Sequence, residues 1–186
     1  MPYFYTTKHI LLMKNTITTP RFIFITTTII VTAISRVIPH FDNVTPVAAM
    51  ALFGGACLSD KRLAIIVPLL AMFISDIFIG FHNTLVYVYV GMIITSLIGI
   101  GMRNNIKTGN IFVGSVASSV IFYLITNFGY WATSMHFANG TTGLFQSYVD
   151  AIPFFRNSLL GDLCYNTVLF GVMGLASKRI PALVKA

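Results

Sequence analysis

Long apolar stretches recur along the chain, and the polar residues gather mostly at their ends. The first stretch is RFIFITTTIIVTAISRVI, residues 21–38, and the second, TPVAAMALFGGACLS at 45–59, is short. RLAIIVPLLAMFISDIFIG follows at 62–80, and three more cover 83–102, 111–131 and 157–177. A helix needs about 20 apolar residues to cross the hydrocarbon core, fewer where protein covers part of it. The pattern therefore predicts an all-α integral membrane protein of six transmembrane helices. The second stretch also fits a re-entrant segment. Pro68 inside the third is tolerable in a bundle, where neighbours satisfy the freed carbonyl.

The opening MPYFYTTKHILLMKNTITTP has no long apolar core and no small-residue cleavage site, so residues 1–20 read as a cytoplasmic or interfacial tail, not a signal peptide. Residues 21–178 form the membrane domain and 179–186 a short cytoplasmic C-terminal tail.

Composition agrees with the pattern. Of 186 residues 56% are hydrophobic and 9% charged, against about a quarter charged in soluble domains. The net charge of +7 raises the question of nucleic acid, but the bases sit at the ends of apolar stretches and no basic run has interleaved aromatics. Their placement sets topology instead. Lys8, Lys14 and Arg21 precede the first span, Lys61 and Arg62 separate the second and third, and Arg103 and Lys107 separate the fourth and fifth. Lys178, Arg179 and Lys185 follow the sixth, while the alternate connections hold only Arg36 and Arg156. Ten against two puts both termini in the cytoplasm and lets the second span cross.

That topology collects the unusual polar residues in the outer third of the bundle. Arg36, His40 and Asp42 close the first span in SRVIPHFDN, and Asp76, His82 and Asn83 end the third. Tyr87 and Tyr89 begin the fourth, while Asn127, Tyr130 and Trp131 end the fifth. Tyr148, Asp150 and Arg156 lie in the connection before the sixth, and Asp162 just inside it. A charge within a span is costly, so it pairs or faces a cavity. Two acids, Asp76 and Asp162, and two arginines, Arg36 and Arg156, are available for ion pairs that staple helices or line an outer pocket. GLFQSYVDAIPFF in the long outer connection reads as a short amphipathic helix ended near Pro153, either a lid over the pocket or a simple interfacial helix.

Small residues at helical spacing, Gly91, Thr95 and Gly99, Ala51 and Gly55, Gly114 and Ser118, permit close helix packing or the docking of a partner subunit. Cys57 and Cys164 form no CxxC or zinc pattern. Walker A, HExxH and GxSxG strings are absent from the sequence.

The strings AISRVIPHFDNVTPVAAMALFGGA, VPLLAMFISDIFIGFHNT, ITNFGYW and AIPFFRNSLLGDLCYNTVLFG together resemble the substrate-binding (S) components of energy-coupling-factor (ECF) vitamin transporters. The nearest likeness is to the solitary bacterial cobalamin (vitamin B12) branch, BtuM, over roughly residues 20–178. The resemblance implies a six-helix fold in the bacterial cytoplasmic (inner) membrane, a binding site open to the outside and uptake of a vitamin. Most of the wider class shares an energising module of two ATPases and a scaffold protein, whereas the solitary branch is held to work without a dedicated one. It implies no cofactor beyond the transported ligand.

By position, the resemblance carries binding roles to His40, Asp76, Tyr89 and Arg156, with Tyr87 an alternative tyrosine. Arg36, His82, Trp131, Tyr148 and Asp162 complete the candidate substrate-binding set. Relatives that ligate the corrin cobalt through a cysteine early in the fourth helix have no counterpart here, where Thr84 or a neighbour stands. Neutral His82 is the candidate replacement ligand, imidazole being a common metal donor. Four readings result: capture of cobalamin or a related corrinoid, capture of another vitamin or a metal chelate, a membrane enzyme using Asp76 and His82 as an acid–base pair on a lipid or corrinoid, and a structural or assembly protein. A polar outer cluster without a catalytic string favours binding.

Overall fold

The computed structural model describes residues 17–39, 41 and 43–184. The expected N-terminal tail therefore lies largely outside the described residues. Seven α-helices and two 3-10 turns, with no strand among the described residues, make one bundle. The helices are α1 (Pro20–Ile34), α2 (Val47–Cys57), α3 (Lys61–Ile79), α4 (Leu85–Met102), α5 (Thr108–Thr133), α6 (Thr141–Asp150) and α7 (Ile152–Arg179). Five are long and apolar enough to cross a membrane, α1 only together with the 3-10 turn Ser35–Val37. Large apolar side chains such as Ile66, Leu70, Phe73 and Phe78 stand exposed on the outside of α3, a surface fit for lipid rather than water. The protein is an apolar helical bundle of the multi-pass membrane kind.

The second apolar stretch is the exception in length and the centre in position. α2 has 11 residues, all of them buried, and at 1.5 Å per residue it is only about 16 Å long. It has no polar face because no side of it meets water. It begins beside Asp162 of α7 and ends beside Arg21 at the start of α1, so it runs antiparallel to α1 between the two ends of the bundle.

Small side chains let α4 lie directly on α2. A Cβ built on Gly99 would stand 2.3 Å from the Leu52 carbonyl oxygen, and one on Gly55 would stand 2.2 Å from that of Ser96. The backbones touch there, and only glycine fits on either side. The small-residue ladders are thus used inside the molecule: Gly91 lies under Phe122 and Gly114 under Met102.

Charges from other helices close both ends of α2. At its start the Ala49 N–H donates to the Asp162 carboxylate. At its finish Arg21 donates to the Cys57 carbonyl from Nε at 3.3 Å and Nη2 at 3.1 Å. Arg103 donates from Nε to the Gly55 carbonyl at 2.8 Å and from Nη1 to that of Ser59 at 2.9 Å. An acid at the N-terminus and bases at the C-terminus oppose the helix dipole and satisfy groups that water cannot reach. Asp60 caps α3 by accepting from Arg62 N–H at 2.8 Å and Leu63 N–H at 2.9 Å.

Two boundaries differ from the sequence reading. Pro153 opens a helix instead of ending one: α7 starts at Ile152, five residues before the expected span, with proline in its first turn. Proline needs no N–H partner there and its φ is already helical. The C-terminal segment is also not a free tail. Pro181–Leu183 forms a 3-10 turn whose Leu183 is 2% exposed, and the Leu183 carbonyl accepts from Arg21 Nη1.

The α2–α4 contact leaves a measurable signature. Gly99→Leu is expected to lower stability in detergent by about 3 kcal/mol through overpacking. Gly101→Ala, one helical step away in open space, is expected to be neutral or to stabilise by about 0.5–1 kcal/mol through helix propensity. Thermal unfolding of the two purified variants checks both.

Candidate functional site

At the end of the bundle opposite Arg21, Arg103 and Lys107, the helices diverge around a cavity of about 560 Å³. This is within the range of about 300–1,000 Å³ usual for small-molecule sites. One wall is α5, which supplies Ser119, Phe122, Tyr123, Thr126, Asn127 and Tyr130. α7 supplies Phe154, Phe155, Ser158 and Asp162, and α6 supplies Ser147 and Asp150. Asn43, Thr45 and Val47 line it from the approach to α2, with Arg36, Met72, His82, Thr84 and Val88 on the remaining side.

A buried ion pair stands behind that side. Arg36 Nη1 lies 2.9 Å from Asp76 Oδ1, with the two side chains 9% and 1% exposed. The same Nη1 donates to the Ser75 hydroxyl, and Tyr89 donates its phenol proton to Asp76 Oδ2 at 3.1 Å. Residues from the end of α1, the end of α3 and the start of α4 are thereby tied together. Two candidates from the sequence, Asp76 and Tyr89, act here as partners of Arg36, and Arg36 itself reaches the cavity. Its Nε is buried and has no hydrogen-bond partner among the described residues.

Asp162 is 4% exposed and serves the cavity and the core at once. Beyond capping α2, it accepts from the Ser119 hydroxyl at 2.7 Å. The Ser119 hydroxyl also lies 3.0 Å from the Ser115 carbonyl, so its one proton is shared between two acceptors, and Asn166 Nδ2 donates to Ser115 Oγ at 2.9 Å. A polar column thus descends from the cavity floor between α5 and α7. Sequence reading missed Ser115, Ser119 and Asn166. The signal was available as two polar pairs at four-residue spacing, 115/119 on α5 and 162/166 on α7.

α6 is a wall of the cavity, held by paired tyrosines. Tyr148 donates from its hydroxyl to the Leu124 carbonyl at 2.9 Å, and Tyr123 donates to the Tyr148 carbonyl. Burial raises the Tyr148 phenol above its ordinary pKa, which keeps it a donor. At the start of α6 a Cβ on Gly143 would fall 1.8 Å from the Ala138 carbonyl oxygen, so glycine alone allows the preceding loop to fold this tightly.

Several candidates fall elsewhere. Arg156 is exposed and does not line the cavity. The Arg156–Asp162 pairing does not form, because Asp162 turns inward to α2 and Ser119. Tyr87 packs over Gly129 and against Phe128, with ring centroids 6.1 Å apart. Trp131 also packs on Phe128, at 5.6 Å, and donates to the Ala138 carbonyl at 3.3 Å. Tyr148 bears on the cavity through Tyr123, not directly. His82 is exposed, lines the cavity and holds Thr84 Oγ1 2.8 Å from its Nδ1. Asp76 is enclosed by its own partners, so no acid–base pair with His82 is assembled at the cavity. Cys164 is exposed outside the lining, and His40 and Asp42 lie outside the described residues. No group of three metal-ligating side chains occurs among the described residues.

A second cavity, of about 460 Å³, opens at the basic end and is lined by Arg21, Cys57, Lys107, Phe170 and Met173 among others.

Breaking the ion pair tests its place in the structure. Asp76→Ala, which strands the Arg36 charge, is expected to cost about 3–5 kcal/mol of stability. The double variant Arg36→Met, Asp76→Leu is expected to recover most of that loss, and Tyr89→Phe to cost about 1 kcal/mol for its hydrogen bond. Melting of the three proteins in one detergent compares them.

Comparison with curated proteins and with solved structures returns no match. A family is nevertheless shown by sequence: residues 16–183 match its profile over most of the chain, and the protein belongs to DUF6580, a family of unknown function.

Proposed function

We propose that the protein captures a vitamin-sized solute from the outer side of a bacterial cytoplasmic membrane and mediates its uptake, in the manner of an ECF substrate-binding component. The observation that carries this reading is a polar and aromatic cavity of about 560 Å³ in an otherwise apolar bundle, at the end away from the basic cluster. The positive-inside rule then turns the cavity outward and sets both termini in the cytoplasm. The chain binds and passes its ligand without changing it. An energising module shared with other substrate-binding components is the partner this reading calls for.

The cavity favours a solute smaller than a corrinoid. A volume in this range encloses a drug-sized molecule, and a complete corrinoid exceeds that size, so it would need α6 to move outward. The corrinoid reading stands second on the geometry of His82. Thr84 engages Nδ1 at 2.8 Å, leaving Nε2 on a cavity-lining residue as the nitrogen for cobalt.

Melting of the full purified chain against a panel of water-soluble vitamins and corrinoids tests the proposal. One compound is expected to raise the melting temperature, and Thr126→Trp, which fills the cavity, is expected to abolish the shift. A panel without a single shift defeats the capture reading. For the corrinoid form, His82→Ala is expected to change the absorption spectrum of bound cobalamin, and an unchanged spectrum removes His82 as the ligand.

A further inference from the structure

We infer that the solute held in the outer cavity is a small organic cation, a flat nitrogen-bearing ring or amine that also carries a hydrogen-bond acceptor. This rests on the capture reading and names its substrate class.

The charges around the cavity do not cancel. Its arginine, Arg36, is answered by Asp76 at 2.9 Å. Two carboxylates, Asp150 and Asp162, also line the cavity, and neither has a basic side chain against it among the described residues. Asp150 is bound by a neutral group, Gln146 Nε2, at 2.6 Å. Asp162 is bound by the Ser119 hydroxyl and by the Ala49 N–H of α2, and a helix N-terminus offers only about half an elementary charge. Asp150 therefore leaves the cavity negative, and Asp162, 4% exposed and without a basic partner there, holds its own negative charge most readily when a cation lies against it. An anionic solute would bring a further charge of the same sign into a low-dielectric space, whereas a cation completes the balance.

The walls fit the same class. Phe122, Tyr123, Tyr130, Phe154 and Phe155 surround the space, and Tyr123 and Phe155 are 4.7 Å apart between ring centroids. Aromatic faces attract a cation within about 6 Å. A second observation points to the ligand's other end. Arg36 is nine-tenths buried, lines the cavity and has a buried Nε–H without an acceptor among the described residues. A group so placed is costly unless it is satisfied, and a carbonyl or carboxylate on the solute supplies what the protein does not.

Three pyridines of similar size and different charge make the test: 1-methylnicotinamide, a ring N-methylpyridinium, as cation, nicotinamide as neutral amide and nicotinate as anion, titrated calorimetrically into the full chain in detergent. The cation is expected to bind at least roughly tenfold more tightly than nicotinamide, with nicotinate the weakest. Asp162→Asn is expected to remove most of that preference. Because Asp162 also caps α2, the exposed Asp150→Asn provides a second variant, expected to reduce the preference about threefold without changing the melting temperature. Equal affinities, a preference for nicotinate, or no binding by any of the three overturns the charge assignment. The vitamin panel is blind to charge: a shift there with a failed pyridine series leaves capture standing, and a failure of both ends both.

Discussion

An eleven-residue helix with no polar side chains at its centre is held by charges it does not own. α2 receives a carboxylate from α7 at its start and two guanidinium groups, from α1 and the end of α4, at its finish. Arg21 stands at the start of α1, Arg103 just past the end of α4 and Asp162 well inside α7, and each helix must be in register for its contact to form. The arrangement therefore fixes the lengthwise position of α1, α4 and α7 against α2, a constraint that apolar packing alone would leave loose because one leucine contact resembles the next. The Gly55–Gly99 crossing then sets the distance between α2 and α4.

The cavity is a consequence of that frame. Asp162 faces both ways, to the Ala49 N–H and to the floor of the cavity, so the residue that positions α2 also charges the site. Arg36 and Asp76 do the comparable task at the junction of α1 and α3, where Ser75 and Tyr89 complete the pair's hydrogen bonds. Arg36 and Asp162 each hold helices together and line the cavity as well, which is economical in a chain with five acidic side chains.

Much of the fold was legible in the sequence because lipid-facing and lipid-excluded helices are written in long apolar runs. The four longest spans and the outer gathering of Arg36, Asp76 and Asp162 followed from those runs and from the bases between them. The partner of each charge did not. Arg36–Asp76 and the burial of Asp162 depend on which way a side chain points around its helix, and α4 and α5 are apolar on nearly all sides, so period alone does not orient them. Ser115 and Ser119 were hidden for the same reason: among small residues on a membrane helix, serine in a packing seam and serine in a polar column look alike. Pro153 was misplaced because proline marks both ends and beginnings of helices, and only the next turn decides between them.

The shortness of α2 has a geometric consequence for passage. Val47, its first residue, lines the outer cavity, and Cys57, its last, lines the inner one. The two hollows stand back to back on a partition about 16 Å deep, roughly half of the 30 Å that the bilayer core presents elsewhere. The partition is a plug of wholly buried apolar side chains, with Met50, Leu52 and Phe53 the bulkiest of them.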